Sequence, residues 1–321
     1  MKKLLLITVW LLCIQPSFPW GFYAHKQINY YAVFMLPPEM LVLYKTNIQF
    51  LSDHAVDPDK RRYAVAGEGA RHYIDIDHYG VYPFDSLPRN WHKALEKYGR
   101  DTLQKYGIVP WHIQTMLFRL TAAFKEKDQV RILKLSADIG HYIGDAHVPL
   151  HVCSNHNGQL TNQHGIHAFW ESRIPELLAA SSWDFMIGKA EYISNPVSFT
   201  WKRVLESAAA ADSVLRIEKE LTTRFSGDQK YSFEPRNGQA IRQYSTRYCL
   251  AYNQELNNMI ERRMRQSIAA VASFWYTAWV NAGQPDLKQL INKNFSEQDR
   301  REFDKLNAAW LSRQANGKDC D

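Results

Sequence analysis

Little cysteine, no long apolar run and almost no alternation of apolar with polar residues mark this chain, and each shortage removes a class of protein. Cys13, Cys153, Cys249 and Cys320 are too few and too widely spaced in 321 residues for a disulfide framework. One bridge among the last three is the most that an exported chain could form. No stretch reaches the roughly 20 consecutive apolar residues that cross a bilayer, so no transmembrane segment is expected. The scarcity of alternation argues against a fold built on sheets. Internal repeats and low-complexity linkers are missing too. What remains is ample apolar mass: 45% hydrophobic and 13% aromatic residues suffice for one large core and exclude a disordered chain.

The first residues, "MKKLLLITVWLLCIQPSFP", have the form of a signal peptide over 1–19: basic Lys2 and Lys3, an apolar run from Leu4 to Leu12, and a proline-marked exit from Pro16 to Pro19. Cys13 would be the acylated residue of a lipoprotein, but bulky Leu12 fits such a site poorly. The expected product is secreted or periplasmic and begins at Trp20. Without the two leader lysines the formal charge falls from +6 to +4. That mild excess suits a phosphate-bearing substrate or an anionic surface without pointing to nucleic acid.

Beyond the leader, apolar residues recur at three- and four-residue steps around "QINYYAVFML" and over 111–127, 129–146, 167–180, 198–221 and 254–283. Polar stretches rich in glycine and proline fill 53–90, 152–166 and 225–240. The pattern predicts a single all-α domain over 20–321. The helix carrying Trp275 and Trp279 reads as core, since its apolar residues recur beside "ERRMR".

The chemistry concentrates in "GHYIGDAHVPLH". His141 and Asp145 are four apart and share a helix face. Pro149 ends that helix and His151 follows on the turn. "HAFWE" repeats the spacing with His167 and Glu171, again a nitrogen and an oxygen donor. Imidazole with carboxylate suits zinc, which takes such ligands at about 2.0 to 2.2 Å. "HAVDPDKRR" adds Asp57, "RHYIDIDHYG" adds His72, and "WGFYAH" adds Trp20 and His25. A leader cut before Trp20 would free an α-amino group that chelates together with the Trp20 carbonyl. Taken singly, such pairs are usually solvated or bonded to a carbonyl; together, five of the twelve histidines standing in series with acidic partners argue for ligands.

In this order the residues resemble the zinc-dependent phospholipase C and single-strand-specific nuclease superfamily. That resemblance implies an all-α fold, three zinc ions and nine ligands. By it, Asp57, His72, His141 and Asp145 would hold one ion. Trp20, His25 and the bridging Asp145 would hold a second, and His151, His167 and Glu171 a third. Asp57 and Asp145 become the catalytic carboxylates: a hydroxide between the ions sharing Asp145 attacks phosphorus in line, and Asp57 orients it or takes its proton. Asp53, Asp59, Asp75 and Asp77 are rivals for the Asp57 slot, but only Asp57 lies fifteen residues before His72.

His147 has no slot and reads as a neighbour of the ligands or an exposed residue, and His164 as a competitor for the third ion. His54, His78, His92, His112 and His156 read as surface or loop residues. Glu171 and "HYIGD" lean toward the phospholipase branch, acting as a monomer on a phosphodiester. The alternatives are a single-strand-specific nuclease or 3′-nucleotidase on the same site, and a secreted zinc-binding protein without activity. Three side-chain ligands at the third site leave a position open, which favours catalysis over a structural role.

Overall fold

In the computed structural model, which describes residues 21–236, 239–291 and 295–312, the apolar periodicity becomes helices laid against a central pair. Helix Val109–Lys125 packs along helix Gln129–His147. The turn between them is tight: Lys127 takes φ 53, and Asp128 caps the second helix by accepting the Arg131 amide at 3.1 Å. Helices Phe22–Val33, Pro196–Thr222 and Met259–Asn281 pack around this pair. Leu120, Phe124, Ile132, Ile139 and Trp275 fill the space between them.

Two aromatics at the middle of this core have their polar ends hydrogen-bonded, as apolar surroundings favour. Trp275 Nε1 donates to the Ser136 carbonyl at 3.0 Å, and the Tyr44 hydroxyl pairs with Ser136 Oγ at 2.8 Å. Trp279 is buried as well, so both tryptophans belong to the core. Among the described residues no helix is long and apolar enough to cross a membrane.

The fold is all-α apart from one small sheet. The stretch 225–240, expected as loop, contributes an antiparallel hairpin of strands Tyr231–Arg236 and Gln239–Tyr244. Its apolar face is short, Tyr231 opposite Tyr244, with Phe169 stacked on Tyr244 at 4.0 Å. A second departure divides the helix expected over 254–283 into Thr246–Glu255 and Met259–Asn281. Asn257 and Asn258 adopt φ 51 and 55 at the break, a left-handed conformation that asparagine tolerates.

Two apolar clusters meet at the end of the Gln129–His147 helix, where Ala146 belongs to the first and Val148 to the second. The second cluster gathers Leu150, Ile166, Phe169, Trp170, Tyr248 and Tyr252. Cys249 is a buried free thiol. The leader, Cys13, Trp20 and Cys320 lie outside the described residues.

Candidate metal centre

Two glycines bring the polar residues together. Gly140 and Gly144 are four apart on the Gln129–His147 helix, facing Asn29 and His25, also four apart, on Phe22–Val33. A Cβ at Gly140 would overlap Asn29 Oδ1, and one at Gly144 would come within 3.0 Å of the His25 ring. Close approach of the two backbones seats His25 beside His141, their rings stacked at 3.9 Å. Asn29 locks the approach by donating to the Leu51 and Ala137 carbonyls at 3.0 and 3.1 Å.

Asp145 lies at the centre and is 1% exposed. Its Oδ2 is 3.0 Å from His72 Nδ1 and 3.3 Å from His141 Nε2, while its Oδ1 is 3.3 Å from His25 Nε2 and 3.8 Å from His151 Nε2. The two oxygens therefore serve two different sets of histidines. Beyond His151, Glu171 Oε2 lies 3.2 Å from His151 Nε2 and 3.0 Å from His167 Nε2. His167 and Glu171 converge across a π-helical turn, Phe169–Arg173, inserted between Ile166–Ala168 and Ile174–Ser182. Such turns are rare and recur at functional sites.

The rings are held from behind. His141, His151 and His167 each face a main-chain carbonyl through Nδ1, those of Ala55, His72 and His156, at 2.8, 2.9 and 3.1 Å. With Nδ1 donating, each Nε2 is left facing the cluster, where on losing its proton it can ligate a metal, the orientation common to metal-ligating histidines. Among the described residues three groups could each hold a metal ion: His25, His141 and Asp145; Asp59, His72 and His141; and His151, His167 and Glu171.

Electrostatics follow from crowding under burial. Burial alone would raise the Asp145 pKa, but the charges of His141 and His151 and hydrogen bonds from His141 and His25 hold it well below the carboxylate range. Glu171 behaves alike: burial is outweighed by His167 and His151. Burial would lower the His141 pKa, yet Asp145 and Asp59 raise it to about 9. For His72 burial prevails over Asp145 and the pKa falls.

The structure departs from the sequence reading at the acidic slot. Asp57, expected there from its distance to His72, turns away: His54 Nδ1 lies 2.6 Å from one of its oxygens and Lys60 Nζ donates to the other at 3.1 Å. The carboxylate that meets His72 and His141 is Asp59, with Oδ1 3.7 and 3.5 Å from their ring nitrogens. Asp57 and Asp59 both belong to the short helix Asp57–Arg61, where residues two apart point in different directions.

Two of the other rivals are engaged elsewhere. Asp53 pairs with Lys26 at 2.8 Å, and Asp77 accepts from Ser154. His25, His72, His141, Asp145, His151, His167 and Glu171 are all brought together as expected; Trp20 lies outside the described residues. His164 is exposed and stays out of the third group. His147 is buried, its Nδ1 facing the Ile143 carbonyl at 2.7 Å. His112, read as a surface residue, is buried against Tyr142, and burial followed by Arg71 lowers its pKa to about 3.

Sequence reading missed Glu68, wholly buried, which accepts from Arg71 and from the Tyr142 hydroxyl. Its one signal was a place four residues before His72, the spacing that linked the other pairs. No family model matches this chain, and no curated protein matches it.

The donor set fits a divalent cation. His141 Nε2 and His72 Nδ1 face one another at 3.0 Å, a contact in which both cannot donate, and His151 Nε2 and His167 Nε2 converge on the single oxygen Glu171 Oε2 at 3.2 and 3.0 Å. A cation among these lone pairs and the Asp145 and Glu171 carboxylates satisfies every one of them.

Proposed function

We propose that the chain is a secreted zinc-dependent phosphodiester hydrolase of the phospholipase C type, holding three zinc ions. The carrying observation is Asp145, whose two oxygens address separate histidine sets at 3.0 to 3.8 Å. A carboxylate so placed would be shared by two neighbouring ions. Asp59, His72, His141 and Asp145 would hold one, Asp145 and His25 with the Trp20 amino and carbonyl groups a second, and His151, His167 and Glu171 a third.

Zinc supplies Lewis acidity and makes water acidic enough to serve as a nucleophile near neutral pH. The residues of the chain do the remainder. Asp145, held ionised by its histidines, fixes the spacing of the paired sites. Asp59 is 21% exposed, so it is the acidic ligand best placed to take a proton from attacking water; it assumes the role first assigned to Asp57. Histidines anchored on main-chain carbonyls keep their ligating nitrogens fixed as charge develops on phosphorus. Glu171 supports the phospholipase branch of the resemblance.

The test is hydrolysis with and without a chelator: phosphocholine release from phosphatidylcholine against nucleotide release from single-stranded DNA. Chelator-sensitive phosphocholine release is expected. Nucleotide release alone would move the substrate to nucleic acid, and activity on neither would leave a zinc-binding protein.

A further inference from the structure

One histidine of the centre is turned the other way round. His141, His151 and His167 rest Nδ1 on main-chain carbonyls and face the cluster with Nε2. His72 faces it with Nδ1, 3.0 Å from Asp145 Oδ2 and 3.0 Å from His141 Nε2. Its Nε2 therefore points outward, is buried, and has no hydrogen-bond partner. A histidine that ligates through Nδ1 carries its proton on Nε2, and a buried N–H without an acceptor is costly.

The group facing that nitrogen is Glu68, whose Oε1 lies 3.8 Å from His72 Nε2. Glu68 is completely buried and is itself held: it accepts from Arg71 and Tyr142, and Arg61 Nε lies 3.5 Å away. Arg61 in turn pairs with Asp138 at 3.0 Å. The guanidinium groups of Arg61 and Arg71 lie against Glu68 and favour its ionised form. Three donors around one buried carboxylate are more than a solitary ion pair needs; they fix its direction.

The geometry points to Glu68 as the positioning residue of the first ion: its carboxylate accepts the His72 Nε2 proton, sets the tautomer and aims Nδ1 at the metal. This rests on the zinc reading above and goes beyond the ligands themselves. Carboxylate partners of ligating histidines typically account for about 10- to 100-fold in metal affinity.

Zinc titration against a chromophoric chelator, with cobalt(II) absorption as a second readout, tests it on the full secreted chain. Glu68→Gln keeps the size of the side chain and its contacts with Tyr142. The expected result is one ion weakened by about 10- to 100-fold with the others unaffected, and an altered cobalt spectrum. Asp138→Asn disturbs the same charge network one step further out and should leave both readouts as in the wild type. Equal affinity in Glu68→Gln and wild type overturns the inference, as does equal weakening in both variants. Wild-type chain that takes up no zinc instead defeats the functional reading. Should Glu68→Gln fail to fold, nitrogen–proton NMR of the zinc-loaded wild type decides: His72 with metal on Nδ1 and a hydrogen-bonded proton on Nε2 is expected, and metal on Nε2 refutes it.

Discussion

At the scale of single residues, the account turns on carboxylates. Asp145 cannot be replaced by a neutral amide, because its charge is what His141, His151 and His25 are arranged around. Asp145→Asn should lose zinc and hydrolysis together, read by elemental analysis and phosphocholine release. The pair Asp57 and Asp59 gives a sharper contrast. Asp59→Asn should lower the zinc content by one ion, whereas Asp57→Asn, which breaks only the contacts with His54 and Lys60, should keep it. Zinc retained in the first variant and lost in the second would restore Asp57 to the slot. Spacing could not separate them: both belong to one five-residue helix, and only its orientation against the His72 turn decides which carboxylate faces inward. His141 with Asp145 and His167 with Glu171 were legible because the four-residue step fixes their common face. Glu68 has the same step before His72 but no histidine-rich context to single it out.

Among elements, helix contacts decide whether the ligands can meet. The Gly140 and Gly144 surface of Gln129–His147 exists to admit Asn29 and His25. Gly140→Ala forces the helices apart and should cost about 1–3 kcal/mol by denaturant unfolding, the usual penalty of overpacking. An unchanged midpoint would show that the helices have slack. The helices themselves were readable from period alone, but the hairpin was not. Its strands alternate weakly, and Glu234, Pro235 and Arg236 give it the composition of a loop.

What secures that region is a buried ion pair: Glu218 on Pro196–Thr222 accepts from Lys230 at 2.7 Å, from Gln163, and from Tyr248 at 2.9 Å. Burial would raise the Glu218 pKa, but Lys230, Gln163 and Tyr248 lower it below the ordinary value. The unfolded chain therefore takes up this proton first as the pH falls. The stabilisation is complete above about pH 4.3 and disappears as the pH drops through the folded value. Glu218→Gln should flatten that acid slope and cost about 3 kcal/mol at neutral pH, measured by unfolding at several pH values. An unchanged slope would mean that the carboxylate titrates normally.

Across the whole molecule, the centre ties together segments far apart in sequence: the first helix, the 57–72 turns, the end of the central helix and the π turn after residue 166. A metal held by all of them binds the folded chain in preference to the unfolded one and so adds to global stability. With zinc at 100 times its Kd the gain is about 2.7 kcal/mol, and chelation should lower the Tm by about 5 °C or more. The all-α class and the gathering of distant motifs were both foreseeable, since each follows from periodicity and donor chemistry. Which face of a short helix turns inward, and what holds a ring from behind, depend on tertiary contacts that no local pattern encodes. The most direct measurement is anomalous diffraction at the zinc edge from crystals of the protein grown with zinc. Three peaks are expected, two of them flanking the Asp145 carboxylate and one among His151, His167 and Glu171. No peak at Asp145, or a single peak elsewhere, would contradict the account.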